Sequence, residues 1–211
     1  PPPEVLRVGD QNLTTQTVYD ANGNLIATID FEGRITRMYY DALNRPAIVV
    51  QNLDPAWGIE TTTPPERNIT LLLTNIRTDR IYDKAGNLIA TIDPLGRIAR
   101  TYYDAVNRPV TVVQNLNPAW GIDNANPPER NPAIPDQNVR SDTMYDANGN
   151  VIASIDPLGR ITRTYYNELN QAYCVVRNLT GQAIGDPNPP ARDPAHPDQN
   201  VRTDTLFGDG G

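Results

Sequence analysis

Residues 82–116 read YDKAGNLIATIDPLGRIARTYYDAVNRPVTVVQNL, and the fold turns on this stretch. Near copies occupy residues 19–53 and 145–179. Tyr19, Tyr82 and Tyr145 stand 63 residues apart, as do Tyr40, Tyr103 and Tyr166. A fixed period of that length marks a repeat architecture, in which each unit buries a face on its neighbours. A shorter period of 21 residues separates Tyr19 from Tyr40. An Asp follows the first tyrosine of every copy: Asp20, Asp83 and Asp146.

Turn and strand signals alternate within each copy. Gly23 and Gly149 close Asn-Gly pairs, and Gly86 closes an Ala-Gly pair at the same place. Asn-Gly is the strongest short hairpin cue and predicts a type I′ turn, with both central residues at positive φ. A β-branched run follows, residues 25–30 in the first copy. A second turn comes from Asp-Pro-Leu-Gly, with Pro94 and Pro157 presetting φ and Gly96 and Gly159 taking the left-handed position. The first copy keeps Gly33 there and lacks the Pro. Residues 97–103 form a third strand, Asn107 sits in a third turn, and residues 109–116 form a fourth strand. The first strand of a copy is the segment before Tyr-Asp, such as residues 139–145. Connections this short force antiparallel pairing. The fold expected is all-β, an antiparallel meander of hairpins with Pro-rich spacer loops, drawn out as a quasi-linear or spiralling ribbon. No segment carries an uninterrupted apolar stripe at helical spacing.

The order Tyr-Asp, Asn-Gly, Asp-Pro-Leu-Gly-Arg, Tyr-Tyr resembles the YD repeat, or RHS repeat, of large bacterial surface and secreted proteins. The resemblance covers the three hairpin blocks, somewhat more than half the chain. It implies a long β-sheet ribbon that spirals. It also implies one of two settings, a hollow shell around a toxin or a place at the cell surface. The uninterrupted short units usual in that family are here separated by spacers.

Those spacers, residues 52–75, 115–138 and 178–200, are rich in Pro, Asn and Asp. That composition fits a disordered linker or a loop pinned against the sheet. Pro-Ala-Trp-Gly-Ile occurs in two of them, and Trp57 and Trp120 are expected to fold back and cover a face of the meander. Repeats start near paired prolines, giving units 1–63, 64–126 and 127–188 and a partial fourth unit, 189–211. Pro1 opens the sequence without an initiator Met or apolar leader, which suggests a mature product or a piece of a longer chain. A strand from Val201 to Phe207 has no following hairpin partner in the sequence. An exposed strand edge invites another chain. End-to-end self-association, from this edge to the edge near Val5–Tyr19 of another copy, is therefore expected.

The chemistry is sparse. The one His, His196, and the one Cys, Cys174, cannot build a zinc cluster. Cys174 occupies the place of Ile48 and Thr111 and reads as a small core residue. Asp20, Asn22 and Asn24 mimic the start of a calcium loop, but Leu25 and Phe31 stand where that loop needs Gly and Glu. No catalytic residue, cofactor or metal site is expected, and the chain is read as a non-enzyme. A net charge of −7, with arginines dispersed along strands, argues against nucleic acid. No run is apolar and long enough to span a membrane. Asn12, Asn68 and Asn178 begin glycosylation triplets. Aromatic side chains could stack on carbohydrate, a partner for which the sequence gives no support. Arg–Asp ladders across strands are a further expectation. The favoured function is a structural element of an extracellular filament or surface assembly. The alternatives are a segment of a toxin-enclosing shell and a carbohydrate-binding adhesin.

Overall fold

The structure is a computed structural model that describes residues 14–70 and 73–207. Among the described residues there are thirteen strands: β1 (Gln16–Tyr19), β2 (Leu25–Ile29), β3 (Ile35–Tyr40), β4 (Pro46–Gln51), β5 (Ile76–Tyr82), β6 (Leu88–Ile92), β7 (Ile98–Tyr103), β8 (Pro109–Gln114), β9 (Val139–Tyr145), β10 (Val151–Ile155), β11 (Ile161–Tyr166), β12 (Ala172–Arg177) and β13 (Val201–Asp204). Strand order in the sheet is sequence order, β1 to β13, so the chain is all-β and antiparallel. Among the described residues the helical segments are two single 3-10 turns, Pro55–Trp57 and Pro118–Trp120. By contacts the chain forms two compact units. One runs to Ile81 and adds Thr91–Gly96; the other comprises Tyr82–Ala90 and the residues from Arg97.

In the first unit β1 to β5 pair successively. Arg37 stands opposite Val50, Tyr39 opposite Ile48, and Ile48 in turn opposite Asp79. The second unit repeats the arrangement, with Arg100 opposite Val113 and Arg163 opposite Val176. Alternate residues of a strand face opposite sides of a sheet. Accordingly Ile35, Arg37 and Tyr39 are buried, while Thr36, Met38 and Tyr40 are only half-buried. Ile98, Arg100 and Tyr102 of β7 follow the same pattern.

The core lies between one sheet face and the spacers. Ile35, Tyr39, Val50 and Leu53 form one cluster, with Ile29, Ile48 and Ile59 against it. Tyr165, Cys174, Val176 and Leu179 form the corresponding cluster of the third copy. Leu53, Leu116 and Leu179, the first spacer residues to turn inward, are 2–4% exposed. Burial of each contributes about 1.5–3 kcal/mol.

The turns correct the sequence reading. The Asn-Gly turn is not type I′, because among the described residues positive φ falls on Gly23 (+84°) and not on Asn22. The Gly23 N–H donates to the Asp20 carbonyl, and the Asp20 N–H donates to the Asn24 carbonyl. This is a three-residue loop, a type I turn followed by a left-handed residue, which suits the twist of the flanking strands as well as a two-residue loop does. The Asp side chain drives the choice. Asp20 Oδ1 accepts from the N–H groups of Asn22 and Asn24, at 2.9 and 2.8 Å. The other two turn classes share the build, with Gly33, Gly96 and Gly159 or Asn44, Asn107 and Asn170 in the left-handed position.

Two more expectations change. Trp57 and Trp120 are 39% and 38% exposed and cover the sheet only in part, Trp120 standing beside Tyr102 of β7. Pro and the following Gly lock them into 3-10 turns that hold the indole at the spacer surface. The last strand ends at Asp204, with one further bond from Thr205 N–H to the Tyr173 carbonyl, so Phe207 lies beyond it. Of the opposite edge, Val5 to Leu13 lies outside the described residues, as do Pro1, Asn12 and the last four residues of the partial fourth unit.

Candidate functional site

Each spacer leaves and re-enters the sheet at one point. The Asn75 N–H donates to the Asn52 carbonyl at 2.9 Å, and the Asn75 side chain accepts from the Asp54 N–H at 2.9 Å. Asn138 closes on Asn115, and Asn200 on Asn178, in the same way. All six asparagines have φ between +49° and +56°, a region Asn enters more readily than most side chains. The spacer is thus a long insertion in a hairpin whose mouth stays shut.

Three buried arginines hold the spacers down. Arg37 is 5% exposed. Its Nε donates to the Ile59 carbonyl of the spacer at 2.7 Å, and its Nη1 donates to the Ile26 carbonyl of β2 at 3.0 Å and to the Met38 carbonyl. Its guanidinium lies 4.6 Å from the centre of the Tyr39 ring. Arg100 joins Ile122 to Ile89, and Arg163 joins Ile184 to Ile152, each stacked on its own tyrosine. Burial pushes the hydroxyls of Tyr39, Tyr102 and Tyr165 above the ordinary tyrosine range, against the pull of these arginines.

A second clamp lies nearer the spacer's end. Arg67 Nη2 and Arg77 Nε both donate to Asp79, at 2.7 and 2.6 Å, and Arg77 Nη1 donates to the Pro65 carbonyl at 2.9 Å. Asp142 is gripped by Arg130 and by Arg140, the latter at 2.8 Å, and also accepts from the Thr111 hydroxyl at 2.6 Å. Burial works to raise the Asp142 carboxyl, but Thr111, Arg140 and Arg130 outweigh it and hold it below the ordinary value. Asp204, between Arg192 and Arg202, is lowered to about 2. Arginine and aspartate therefore pair from spacer to strand and along one strand. Other pairs close turns, such as Arg45–Asp41 and Arg108–Asp104 at 2.7 Å each; the spacer arginines reach Asp79, Asp142 and Asp204 rather than building the cross-strand ladders expected.

The signature positions have visible duties. Asp20, Asp83 and Asp146 each organise the first turn, accepting from the backbone and the carboxamide of Asn24, Asn87 and Asn150. Those carboxamides reach across to Asn44, Asn107 and Asn170 of the third turn. Gly86 and Gly149 have φ of +94° and +89°. Pro94 and Pro157 open the second turns, where the Leu95 and Leu158 N–H groups donate to Asp93 and Asp156. Tyr19 is 58% exposed at the end of β1, Tyr82 ends β5 half-buried, and Tyr145 stacks under Arg108 at 4.5 Å and donates to the Pro109 carbonyl.

A groove of about 430 Å³ beside Arg37 is lined by Tyr19, Asp20, Tyr39, Glu60 and Thr62, and a smaller one lies beside Arg100. Among the described residues no group of three or more His, Cys, Asp or Glu could hold a metal. His196 pairs with Asp193 at 2.7 Å on the exposed spacer. Cys174 is buried, and that burial pushes its thiol up. No helix among the described residues is long and apolar enough to cross a membrane.

The RHS repeat family model matches residues 19–52 and 82–116. Two stretches of this chain match the RHS repeat. The matched stretches begin at the Tyr-Asp pair and run to the spacer mouth, so the RHS unit is the block of hairpins and the spacers lie between such blocks. Two crystal structures, of TcdB2-TccC3-TEV and of TcdB2-TccC3-Cdc42, share the fold with a TM-score of 0.51 each. Each is 18% identical to this chain and aligns with 80% of it, but with 8% of the other chain. The likeness is one of fold, over a small part of those proteins. The curated proteins include no match.

Sequence reasoning missed both clamps. The signal was present: Ile59, Ile122 and Ile184, and Arg67, Arg130 and Arg192, recur in all three spacers, whereas Trp occurs in two. In the third spacer Gln182 donates to the Asn188 carbonyl at 2.6 Å, the bond that the Trp57 and Trp120 indoles make to Thr63 and Asn126.

Proposed function

We propose that this chain is a length of wall from an RHS-type shell, built to enclose a secreted polypeptide toxin rather than to catalyse a reaction. The observation that carries the reading is the shared fold with the TcdB2-TccC3 structures, across most of this chain and a small part of theirs. The two unlike faces support it. One face is sealed by clamped spacers, and the other carries rows of small uncharged residues, such as Thr101, Val112 and Ser141. A wall needs two different surfaces; a filament of stacked ends does not.

On this reading the protein acts outside the cell or at its surface, and its carboxylates serve turns and clamps. The filament reading ranks second, because the fold shared with the TcdB2-TccC3 structures supports a wall and nothing comparable supports end-to-end joining. Negative-stain microscopy of the purified protein separates the two. Hollow or strongly curved particles favour the wall. Unbranched filaments that lengthen with protein concentration would overturn it and restore end-to-end joining.

A further inference from the structure

The pairs Asn22-Gly23 and Asn148-Gly149 are the same in chemistry and unlike in setting. Both are exposed. Both glycines have left-handed φ, with open space around the position of a Cβ. Both Gly N–H groups donate to the carbonyl of the turn Asp, at 3.1 and 3.2 Å. The difference lies in the carboxamide. Asn148 Nδ2 donates to Asn170 Oδ1 at 2.8 Å. The corresponding Asn44 Oδ1 accepts from Asn24, and among the described residues the Asn22 side chain makes no hydrogen bond. In the middle copy Ala85 stands at this position.

We propose that Asn22 is a site of spontaneous deamidation and that Asn170 shields Asn148 from the same reaction. The Gly23 backbone nitrogen gives its proton to solvent and attacks Cγ of Asn22. A new C–N bond forms, the Cγ–Nδ2 bond breaks, and ammonia leaves with a proton from water. The remaining succinimide ring is opened by a second water at either carbonyl, yielding aspartate or isoaspartate. Glycine permits the attack because no Cβ obstructs its nitrogen. The isoaspartyl product lengthens the main chain by a methylene and sets a carboxylate beside Asp20. That breaks the Asp20 turn and loosens β1 from β2, while the middle copy, with Ala85, is immune.

Incubating the folded protein at mildly alkaline pH and mapping its peptides by mass reads both sites at once, as exchange of NH₂ for OH. Asn22 should convert about 2- to 10-fold faster than Asn148, the factor set by one net hydrogen bond. In Asn170→Gly, which keeps the left-handed φ, Asn148 should rise to the Asn22 rate. In Asn170→Asp, which keeps the acceptor, it should stay slow. In denaturant the two wild-type rates should converge. Equal rates in the folded protein, an Asn148 rate unmoved by Asn170→Gly, or a difference that persists in denaturant would each overturn the proposal.

Discussion

Arg100 shows what a single residue does here. It is 7% exposed and satisfies backbone carbonyls from β6, β7 and a spacer with one planar fork. Replacing it by Leu leaves those carbonyls buried without donors. Arg100→Leu should lower the unfolding free energy by about 3 kcal/mol in urea titration, and Arg100→Lys should recover little, because an ammonium lacks the fork and the stacking plane. Gly149 tests the turn. A Cβ there meets nothing within 4 Å, so Gly149→Val tests the φ of +89° alone. It should cost about 1–3 kcal/mol, and an unchanged melting temperature would refute the left-handed assignment. Ile155 is half-buried on β10. Ile155→Ala should therefore fall at or below the bottom of the range for core truncations, about 2 kcal/mol.

At the scale of the element, the spacer is the new feature. Its length and its Pro, Asn and Asp content predict looseness, yet its mouth is shut by asparagines and its body is fixed by arginines at two points. Trp contributes a hydrogen bond that Gln182 also supplies. Trp120→Gln should accordingly change stability by less than about 1 kcal/mol. Arg130→Ala should free the spacer, leave the hairpins paired, and raise the rate of limited proteolysis within residues 115–138. If the tryptophan variant were the more sensitive of the two to protease, the ranking of these anchors would be wrong.

For the whole molecule, the carboxylates set the response to acid. Asp142, Asp156, Asp146, Asp104 and Asp204 all have folded values below the reference of 3.8. A depressed carboxyl contributes stability that is present above its unfolded value and lost as pH falls through its folded value. The melting temperature should hold from pH 7 to about 5, then fall below about 4, with the Asp204 clamp failing last, near 2. A melting temperature flat down to pH 2 would mean that the clamps contribute nothing. The hairpins, their antiparallel order and the RHS resemblance were legible in the chain, because Asn, Gly and Pro restrict backbone angles locally and alternation reports burial at neighbouring positions. The turn type was not legible, since it depends on where the Asp20 carboxylate reaches. Nor was the role of Trp57, Arg37 or Arg67 legible. A residue in a spacer chooses its partner by which strand the folded sheet places under it, and that proximity, between positions 12 to 22 residues apart, exists only once the sheet has formed.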